Sequence, residues 1–410
     1  MSPEADRRTE KLAARVAAKR INPLVAGLRS LYPFLVAIAL AFVLQTVLAP
    51  AMSDFKARIV LDIGIAIVLA SSLNIVNGFA GQFSIGHAGF MMIGGYTSAV
   101  VTYYGSLKLL GAPIGVDVPV IGGFMGSGDL LFLGACLVAG VVAAGAGLVV
   151  GLPSLRLRGD YLAIVTLGFG EILKVLIQQT PDVPSPADAV NAGPLTMVTH
   201  LGGSLPFTGQ PSYVSPTPWM VDANGEQTGH AGIFFTYLIV GILLILVYRL
   251  KVSHKGRELL AVRENEIAAE AMGVNTSRTK VTAFVIAAFF AGVGGALFAH
   301  EVGATLDAKT LGFQKSIDLV IMVVLGGMGS ITGVVFAATF LTILPELLRS
   351  AQLESYRMPF YALALIVVMI ARPQGLFGIK ELWDLTPWKK YVTPLWKKLA
   401  GGWLVAKEDE

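Results

Sequence analysis

Apolar runs long enough to cross a membrane recur along nearly the whole chain. About 20 apolar residues span a bilayer core of roughly 30 Å as a helix, because lipid offers the backbone no other hydrogen-bond partner. Hydrophobic residues make up 54% of the 410 positions, a larger share than in soluble domains. Charged residues make up only 14%, a smaller share than in soluble domains. The sequence therefore predicts an all-α integral membrane protein, a polytopic bundle of about ten transmembrane helices. The ten candidate spans are 31–50, 59–78, 87–104, 130–152, 160–178, 231–250, 281–300, 316–328, 331–348 and 359–371.

Glycine clusters interrupt two of these regions. Residues 316–348 form one apolar stretch, and the run from Gly326 to Ser330 divides it into two spans. Residues 78–95 contain six glycines, which allow helices to approach closely or to unwind at membrane depth. We therefore expect broken or re-entrant segments at both places.

The distribution of basic residues predicts the orientation. Lys and Arg are enriched in cytoplasmic loops, and 23 of the 31 lie in 1–30, 153–159, 249–280 and 372–410. Ten spans place all four regions on the cytoplasmic side, with both termini. The net charge of +4 thus fits membrane topology and lipid contact, and nucleic acid is not an expected partner.

Three parts follow from this topology: a basic cytoplasmic extension over 1–30, a transmembrane domain over 31–376 and a cytoplasmic tail over 377–410. Residues 4–20 fit either an amphipathic helix on the inner leaflet or a frayed basic tail. The loop 179–230 falls outside and carries eight prolines, so it cannot be one helix. Contact with an extracytoplasmic partner and a solvated spacer both remain open for it.

The cytoplasmic loop 251–280 contains a stretch with the composition of a surface helix. Residues 257–272 are rich in Ala, Leu and Glu and predict one helix that Gly273 ends. Leu260, Arg263, Glu264 and Ile267 recur on one face of such a helix. A helix of this kind could dock into a groove of a soluble protein.

This loop resembles the cytoplasmic coupling helix of ABC importer permeases, whose pattern is Glu-Ala-Ala, three residues and Gly. Ala268, Ala269 and Gly273 match it, while Ile267 stands at the Glu position with Glu266 just before. The resemblance implies that this segment receives mechanical input from an ATPase. The candidate coupling residues are Arg263, Glu264, Glu266, Ala268, Ala269 and Gly273.

Longer stretches resemble LivM-type permeases, the membrane subunits of branched-chain amino-acid ABC importers. They are 78–90, 157–172, 324–330 and 371–376, and the similarity covers roughly 60–376. The resemblance implies inward translocation of Leu, Ile, Val or related amino acids by alternating access across the bacterial inner membrane. It also implies a heterodimer with a second homologous permease, two cytoplasmic ATP-binding subunits and a periplasmic substrate-binding protein.

Polar residues within the matching stretches are candidates for the translocation path, because polar groups at membrane depth usually face the bundle interior or water. An unwound segment offering backbone groups to a zwitterionic amino acid and a well-packed glycine turn are both open for 78–95. Glu171 lies either on the path or near the outer interface beside Lys174. The candidate path residues are Gly81, Gln82, Ser84, His87, Tyr161, Thr166 and Glu171.

Catalytic motifs are missing from the sequence. The dipeptide Gly-Lys of a phosphate-binding loop never occurs, nor does a Gly-x-Ser-x-Gly or His-Glu-x-x-His motif. Cys136 is the single cysteine, so neither an intrachain disulfide nor a cysteine zinc site can form. We expect no catalytic residue, metal or cofactor in this chain, and ATP hydrolysis in partner subunits.

Two alternatives stay open. An ABC permease for another small polar solute such as urea would have similar spans and a similar coupling segment. An ion-coupled secondary transporter would need buried carboxylates, for which Glu171 is the candidate.

Asp62, His300 and Glu301 fall near span ends, where exposure to lipid headgroups would explain them.

Overall fold

The computed structural model describes residues 23–111, 125–154, 160–210, 232–301 and 305–350, with scattered positions from 356 to 381. Within these ranges the chain is almost entirely helical. The helices are α1 (Pro23–Val43), α2 (Asp54–Asn74), α3 (His87–Lys108), α4 (Ser127–Ser154), α5 (Asp160–Gln178), α6 (Pro186–Asn191), α7 (Pro194–Thr199), α8 (Ile233–Val252), α9 (His254–Glu264), α10 (Glu266–Ala271), α11 (Thr276–Glu301), α12 (Phe313–Gly326) and α13 (Ile331–Ser350). Two short strands, β1 (Phe207–Thr208) and β2 (Thr305–Leu306), pair antiparallel. Single π-helical turns extend α1 over Leu44–Leu48 and α2 over Ile75–Phe79.

Seven helices of the described part are long and apolar enough to cross a membrane. They cover 31–51, 55–79, 127–152, 161–178, 233–252, 276–301 and 331–349, close to seven of the predicted spans. The all-α polytopic membrane fold is thereby confirmed, and the number of spans is approximate. The predicted span 359–371 lies largely outside the described residues, as does the N-terminal segment 4–20.

Two predicted spans differ in character from the seven. Helix α3 is long enough, but its Ser, Thr, Tyr and Gly residues lower its hydropathy, and most of its side chains are buried against other helices. Helix α12 has 14 residues and ends at Gly326, where the sequence predicts the break. A polar helix such as α3 can stay at membrane depth because other helices cover it. The short helix α12 buries one face, which includes Ser316, Leu319 and Val323.

Helix α11 packs against α3 and α4 in the core of the bundle. A Cβ on Gly94 would overlap the carbonyl oxygen of Gly292, and a Cβ on Gly295 would overlap that of Met91. Small residues let helix backbones approach this closely, and such packing is what holds helices together in lipid.

The described part of the predicted outer loop is anchored to α3. Tyr103 Oη donates a hydrogen bond of 2.8 Å to the Pro184 carbonyl, and Phe207 on β1 is fully buried against Tyr103 and Tyr96. Residues 186–191 and 194–199 form α6 and α7, while 211–231 lie outside the described residues. The outer loop is therefore partly folded onto the bundle.

The expected headgroup exposure of His300 and Glu301 is wrong. His300 is fully buried, with its Nε2 3.0 Å from Thr102 Oγ1, and the Glu301 side chain is 1% exposed. Glu301 interacts electrostatically with Asp62, and its Oε1 lies 3.7 Å from Arg58 Nε. Packing of α11 against α2 encloses Glu301, and packing of α11 against α3 and α4 encloses His300. The position of these residues in a single span could not reveal this burial.

Candidate functional site

The segment 78–86 joins α2 to α3 and folds back on itself. Asn77 closes it, since its Nδ2 donates to the Ser84 carbonyl at 3.2 Å and its Oδ1 accepts from the Ser84 amide at 3.1 Å. The Gln82 amide donates to the Val76 carbonyl at 3.0 Å. Unwound backbone at membrane depth needs such internal partners.

The start of α3 is held between α5 and α12. The Ile85 amide donates to Thr166 Oγ1 at 3.1 Å, and the Ala88 amide donates to Ser316 Oγ at 3.2 Å. A Cβ on Gly86 would overlap the Thr166 carbonyl oxygen. Two side chains from neighbouring helices thus bond amides at the beginning of α3 that its own first turn leaves free.

Three candidate path residues, Gln82, Ser84 and His87, face the protein interior, whereas Gly81 is exposed. Ser84 and His87 are buried, and His87 Nε2 lies 2.7 Å from Ser72 Oγ. Gln82 is 7% exposed, and its Oε1 has no hydrogen-bond partner among the described residues. Tyr161 is 70% exposed on the surface of α5 and does not belong to this cluster.

Glu171 links α5 to α12. Its Oε1 accepts the Phe313 amide at 2.8 Å, and its Oε2 accepts Lys174 Nζ at 2.8 Å. A carboxylate at a helix N-terminus satisfies free amides and complements the helix dipole. The Glu171 carboxylate therefore caps the N-terminus of α12.

A narrow cleft lies where these three helices meet. Its lining includes Gly86, Gly89, Leu167, Gly170, Gly312 and Ser316, and it is too tight to admit a water molecule. The backbones approach closely there as well, since a Cβ on Gly89 would lie 3.1 Å from the Gly170 Cα. The bundle is closed at this level.

A polar junction connects the end of α9 to two glycine-rich turns, one over 78–82 and one over 327–330. Arg263 Nη1 donates to the Gly78 carbonyl at 2.7 Å and to the Met328 carbonyl at 3.3 Å. Gly81 has a φ of +66°, and a Cβ there would lie 2.7 Å from Arg263 Cγ. Glycine at position 81 therefore leaves the space that the Arg263 side chain occupies, and a residue with a Cβ would not.

The glycine-rich turn after α12 is also bonded to Asn74 at the end of α2. Asn74 Nδ2 donates to the Ser330 carbonyl at 3.0 Å, and Asn74 Oδ1 accepts the Gly329 amide at 2.9 Å. The Leu376 amide donates to the Leu325 carbonyl at 2.9 Å. Three of the four stretches that carry the sequence resemblance, 78–90, 324–330 and 371–376, thus meet at one place.

Lys251 and Glu381 complete this junction. Lys251 Nζ donates to the Gly329 carbonyl at 2.9 Å and to Glu381 Oε1 at 2.5 Å. Glu381 also accepts the amides of Ile331 and Thr332, each at 3.0 Å, at the start of α13. Burial by itself would raise the pKa of the Glu381 carboxyl, but these hydrogen bonds outweigh it and keep that pKa below its ordinary value of 4.5.

Helix α10 is short and fixed at both ends. Asn265 Oδ1 accepts the Ala268 amide at 3.0 Å as an N-cap, and Gly273 follows the helix with a φ of +85°. Glu266 pairs with Lys280 of α11 at 2.6 Å. A cap, a left-handed glycine and an ion pair hold this helix in one place.

The prediction of one helix over 257–272 is wrong. Asn265 has a φ of −160° and a ψ of 109°, so it separates α9 from α10, although Gly273 ends the segment as predicted. Arg263 consequently turns inward, and Ile267 is 71% exposed on the other side of the break. An asparagine that caps the following helix competes with continuation of the preceding one.

The other candidate coupling residues differ in their exposure to solvent. Ala269 is 5% exposed and packs inward, while Glu264, Ala268 and Gly273 are exposed. Met272 is 85% exposed, so α10 and its end present two large apolar side chains, Ile267 and Met272, to the outside.

Sequence reasoning missed three residues of the junction. Asn74 lies inside a predicted span, Lys251 was counted only as a topological charge, and Glu381 falls in the predicted tail. No local sequence pattern indicates this pairing, because the paired residues lie far apart in the chain. Among the described residues, no group of three or more His, Cys, Asp or Glu side chains could hold a metal ion.

Comparison with known proteins agrees with these observations. The family model described as branched-chain amino acid transport system / permease component matches residues 56–371. The high-affinity branched-chain amino acid transport system permease protein LivM of Escherichia coli (strain K12) is 34% identical over 80% of this chain and 72% of its own length. LivM of Salmonella typhimurium is 35% identical over 76% of this chain and 67% of its own length.

A second kind of permease is also similar. LivH of Escherichia coli (strain K12) is 24% identical over 77% of this chain and 92% of its own length. No solved structure gives a significant match. The extent of the family match and the identity to the LivM proteins show that this chain belongs to the family of permease components of branched-chain amino acid transport systems.

Proposed function

We propose that the chain is one permease half of an ATP-driven importer that moves Leu, Ile, Val or related amino acids inward by alternating access. The observation that carries this proposal is α10, a fixed helix on the predicted cytoplasmic side with Ile267 and Met272 exposed. Exposed apolar side chains on a rigid element suit docking into a groove of another protein. The names of the LivM relatives supply the substrate class.

ATP hydrolysis belongs to other subunits in this proposal, because the chain lacks a phosphate-binding loop. We assign α10 to contact with one of two cytoplasmic ATP-binding subunits. The likeness to both LivM and LivH supports pairing with a second, homologous permease, since related chains of two kinds carry the same transport name.

The outer surface suits delivery by a periplasmic binding protein. Leu195 and Val198 of α7 are 77% and 68% exposed, and Leu205 beside β1 is 60% exposed. The loop that carries them is anchored to α3, which leads down to the segment 78–86. The protein would lie in the bacterial inner membrane with both termini in the cytoplasm.

For the translocation path we propose the region around 78–86, α5 and the start of α12. Gly81, Gln82, Ser84, His87, Thr166 and Glu171 lie on these elements, and Tyr161 would face the second permease or lipid. The closed cleft at Gly89 and Gly170 fits a resting state in which the path is shut. Rigid-body rocking of the bundle would open it on one side at a time.

The test is purification of the complex from native membrane with mass identification of its subunits, followed by uptake in proteoliposomes. Replacing Ile267 and Met272 together by Asp should remove the ATP-binding subunits, because charges would face an apolar groove. The matched control replaces both residues by Leu and should keep them. ATP-dependent uptake of Leu, Ile or Val by the intact complex is the expected result.

Two outcomes would overturn the proposal. Uptake that a proton or sodium gradient drives without ATP would favour the ion-coupled transporter, and a Glu171→Gln chain should then lose transport. Uptake of urea but not of branched-chain amino acids by the ATP-dependent complex would overturn the substrate class alone.

A further inference from the structure

We infer that Arg263 is the positioning residue that carries movement of α10 into the two glycine-rich turns at the inner ends of α2 and α12. The inference rests on the proposed function, since it assumes that α10 receives the movement. It concerns a contact inside this chain, between the cytoplasmic segment and the membrane-embedded bundle.

Arg263 lies close to α10 in the chain. It lies in the last turn of α9, and only Glu264 and Asn265 separate it from α10. Asn265 caps α10 and Glu266 is paired with Lys280, so α10 cannot move far without moving its neighbours. A displacement of α10 therefore reaches Arg263 over a very short length of backbone.

The Arg263 guanidinium binds backbone carbonyls of both glycine-rich turns. The carbonyls of Gly78 and Met328 belong to turns that follow the ends of α2 and α12, where helices leave carbonyl oxygens unbonded. A cation at a helix C-terminus also complements the negative end of its dipole. One side chain thus stabilises two helix ends that belong to different parts of the bundle.

Arg263 packs tightly against glycines of both turns. Gly81 contacts the backbone of Arg263, where its Cβ would lie 3.2 Å from the Arg263 Cα, and a Cβ on Gly329 would lie 2.8 Å from Nη1. Close-packed groups transmit displacement because they cannot slide past each other without a void or a clash. The turn over 78–82 must follow when Arg263 shifts.

The turn over 78–82 leads directly to the proposed path. It continues into the segment that Thr166 of α5 and Ser316 of α12 hold, and into the closed cleft at Gly89. Asn74, at the end of the helix that precedes this turn, bonds Gly329 and Ser330 of the other turn. Movement of Arg263 would therefore act on both glycine-rich turns together and on the closed level of the bundle.

The test compares Arg263→Met with wild type in the assembled complex. Methionine keeps an apolar stem against Gly81 and removes the donors to both carbonyls. The readout is the number of amino-acid molecules imported per ATP hydrolysed, which loss of folded protein alone does not change. We expect this ratio to fall about tenfold. Loss of one charge-assisted hydrogen bond of ordinary strength changes an equilibrium between two conformations by about this factor.

Two further variants sharpen the comparison. Arg263→Lys places a cation near the same carbonyls and should keep at least half of the wild-type ratio. Arg257→Met alters an exposed arginine on the same helix and should leave the ratio unchanged. An unchanged ratio in Arg263→Met, or a tenfold loss in a well-folded Arg263→Lys, would overturn the inference.

A second measurement needs no partner subunit. Hydrogen exchange of the backbone amides at 78–82 and 327–330 is followed in the purified full chain. Arg263→Met should exchange about tenfold faster there than wild type, with α3 and α11 unchanged, and equal exchange would contradict the link. If Arg263→Met does not fold, Arg263→Lys takes its place and must show near wild-type exchange.

The two failures are distinguishable. If no ATP-binding subunit purifies with the wild-type chain, the proposed function fails, and the exchange measurement still decides whether Arg263 fixes the turns. If the complex forms and transports but the Arg263→Met ratio is that of wild type, the proposed function stands and the inference falls.

Discussion

At the scale of single residues, the junction depends on glycines that no other residue can replace. Gly81 combines a φ of +66° with a Cβ position that is blocked by Arg263. The left-handed backbone alone costs a residue with a Cβ about 1–2 kcal/mol, and the contact with Arg263 adds to it. This position therefore contributes both to stability and to the geometry of the turn.

Replacement of Gly81 by Ala should lower the thermal unfolding temperature of the purified chain and reduce uptake. Gly168→Ala is the matched control, since Gly168 lies on α5 with open space around its Cβ position. Unfolding followed by the fluorescence of a thiol-independent dye would show a loss for Gly81→Ala and none for Gly168→Ala. Equal stability of both variants would show that the turn can adopt another backbone conformation.

Glu381 gives the junction a pH dependence of known sign. Its folded-state pKa lies below the ordinary value of 4.5, so the carboxylate stabilises the folded chain at neutral pH. This contribution is present above 4.5 and is lost as the pH falls through the lowered folded-state pKa. Wild type should therefore unfold at a higher temperature than Glu381→Gln at neutral pH.

The difference between the two proteins should shrink as the pH is lowered below 4.5 and vanish once Glu381 is protonated in the folded state. Thermal unfolding of both proteins across a pH series measures it. A difference that stays constant down to strongly acid pH would mean that the charge of Glu381 does not contribute.

At the scale of elements, the cytoplasmic segment works through its break and not through one continuous helix. Asn265 ends α9 and caps α10, so that Arg263 points into the bundle while Ile267 points out. A single helix over 257–272 would have put both residues on one face. In the proposed complex, the break would let one short segment contact the bundle and an ATP-binding subunit at the same time.

Asn265→Ala should loosen α10, because loss of an N-cap costs about 1 kcal/mol. We expect faster hydrogen exchange over 266–271 and weaker retention of the ATP-binding subunits. Glu270→Ala changes an exposed residue within α10 and should leave both unchanged. Full retention of the partner by Asn265→Ala would show that binding itself orders the helix.

The sequence predicts the elements better than their partners. Apolar runs and glycine clusters suffice to locate most spans, the break at 326–330 and the end of α10 at Gly273. The pairing of Arg263 with Gly78 and Met328 is not predictable in this way, because carbonyl oxygens are present at every position and only the fold selects two of them. Burial of Glu301 likewise depends on the packing of α2 against α11, which the sequence of one span does not contain.

At the scale of the whole molecule, two surfaces lie on opposite sides of the predicted membrane. Leu195 belongs to the outer loop and Ile267 to the cytoplasmic segment, and both are exposed. Cys136 is the single cysteine and is buried, so Cys136→Ala gives a background without thiols. Each surface can then be labelled by itself.

In that background, Leu195→Cys should react with a membrane-impermeant maleimide in intact spheroplasts, and Ile267→Cys only in inverted vesicles. Labelling followed by mass shift measures both. Reaction of Ile267→Cys in spheroplasts would reverse the orientation and remove α10 from contact with cytoplasmic partners.

The bond network around Glu381 also imposes an order on biosynthesis. Lys251 and the first amides of α13 emerge from the ribosome well before residue 381, and until then their carboxylate partner does not exist. The end of α8 and the start of α13 thus lack these bonds throughout translation of the predicted spans. The network is completed only by a residue that lies beyond 371, where the family match ends.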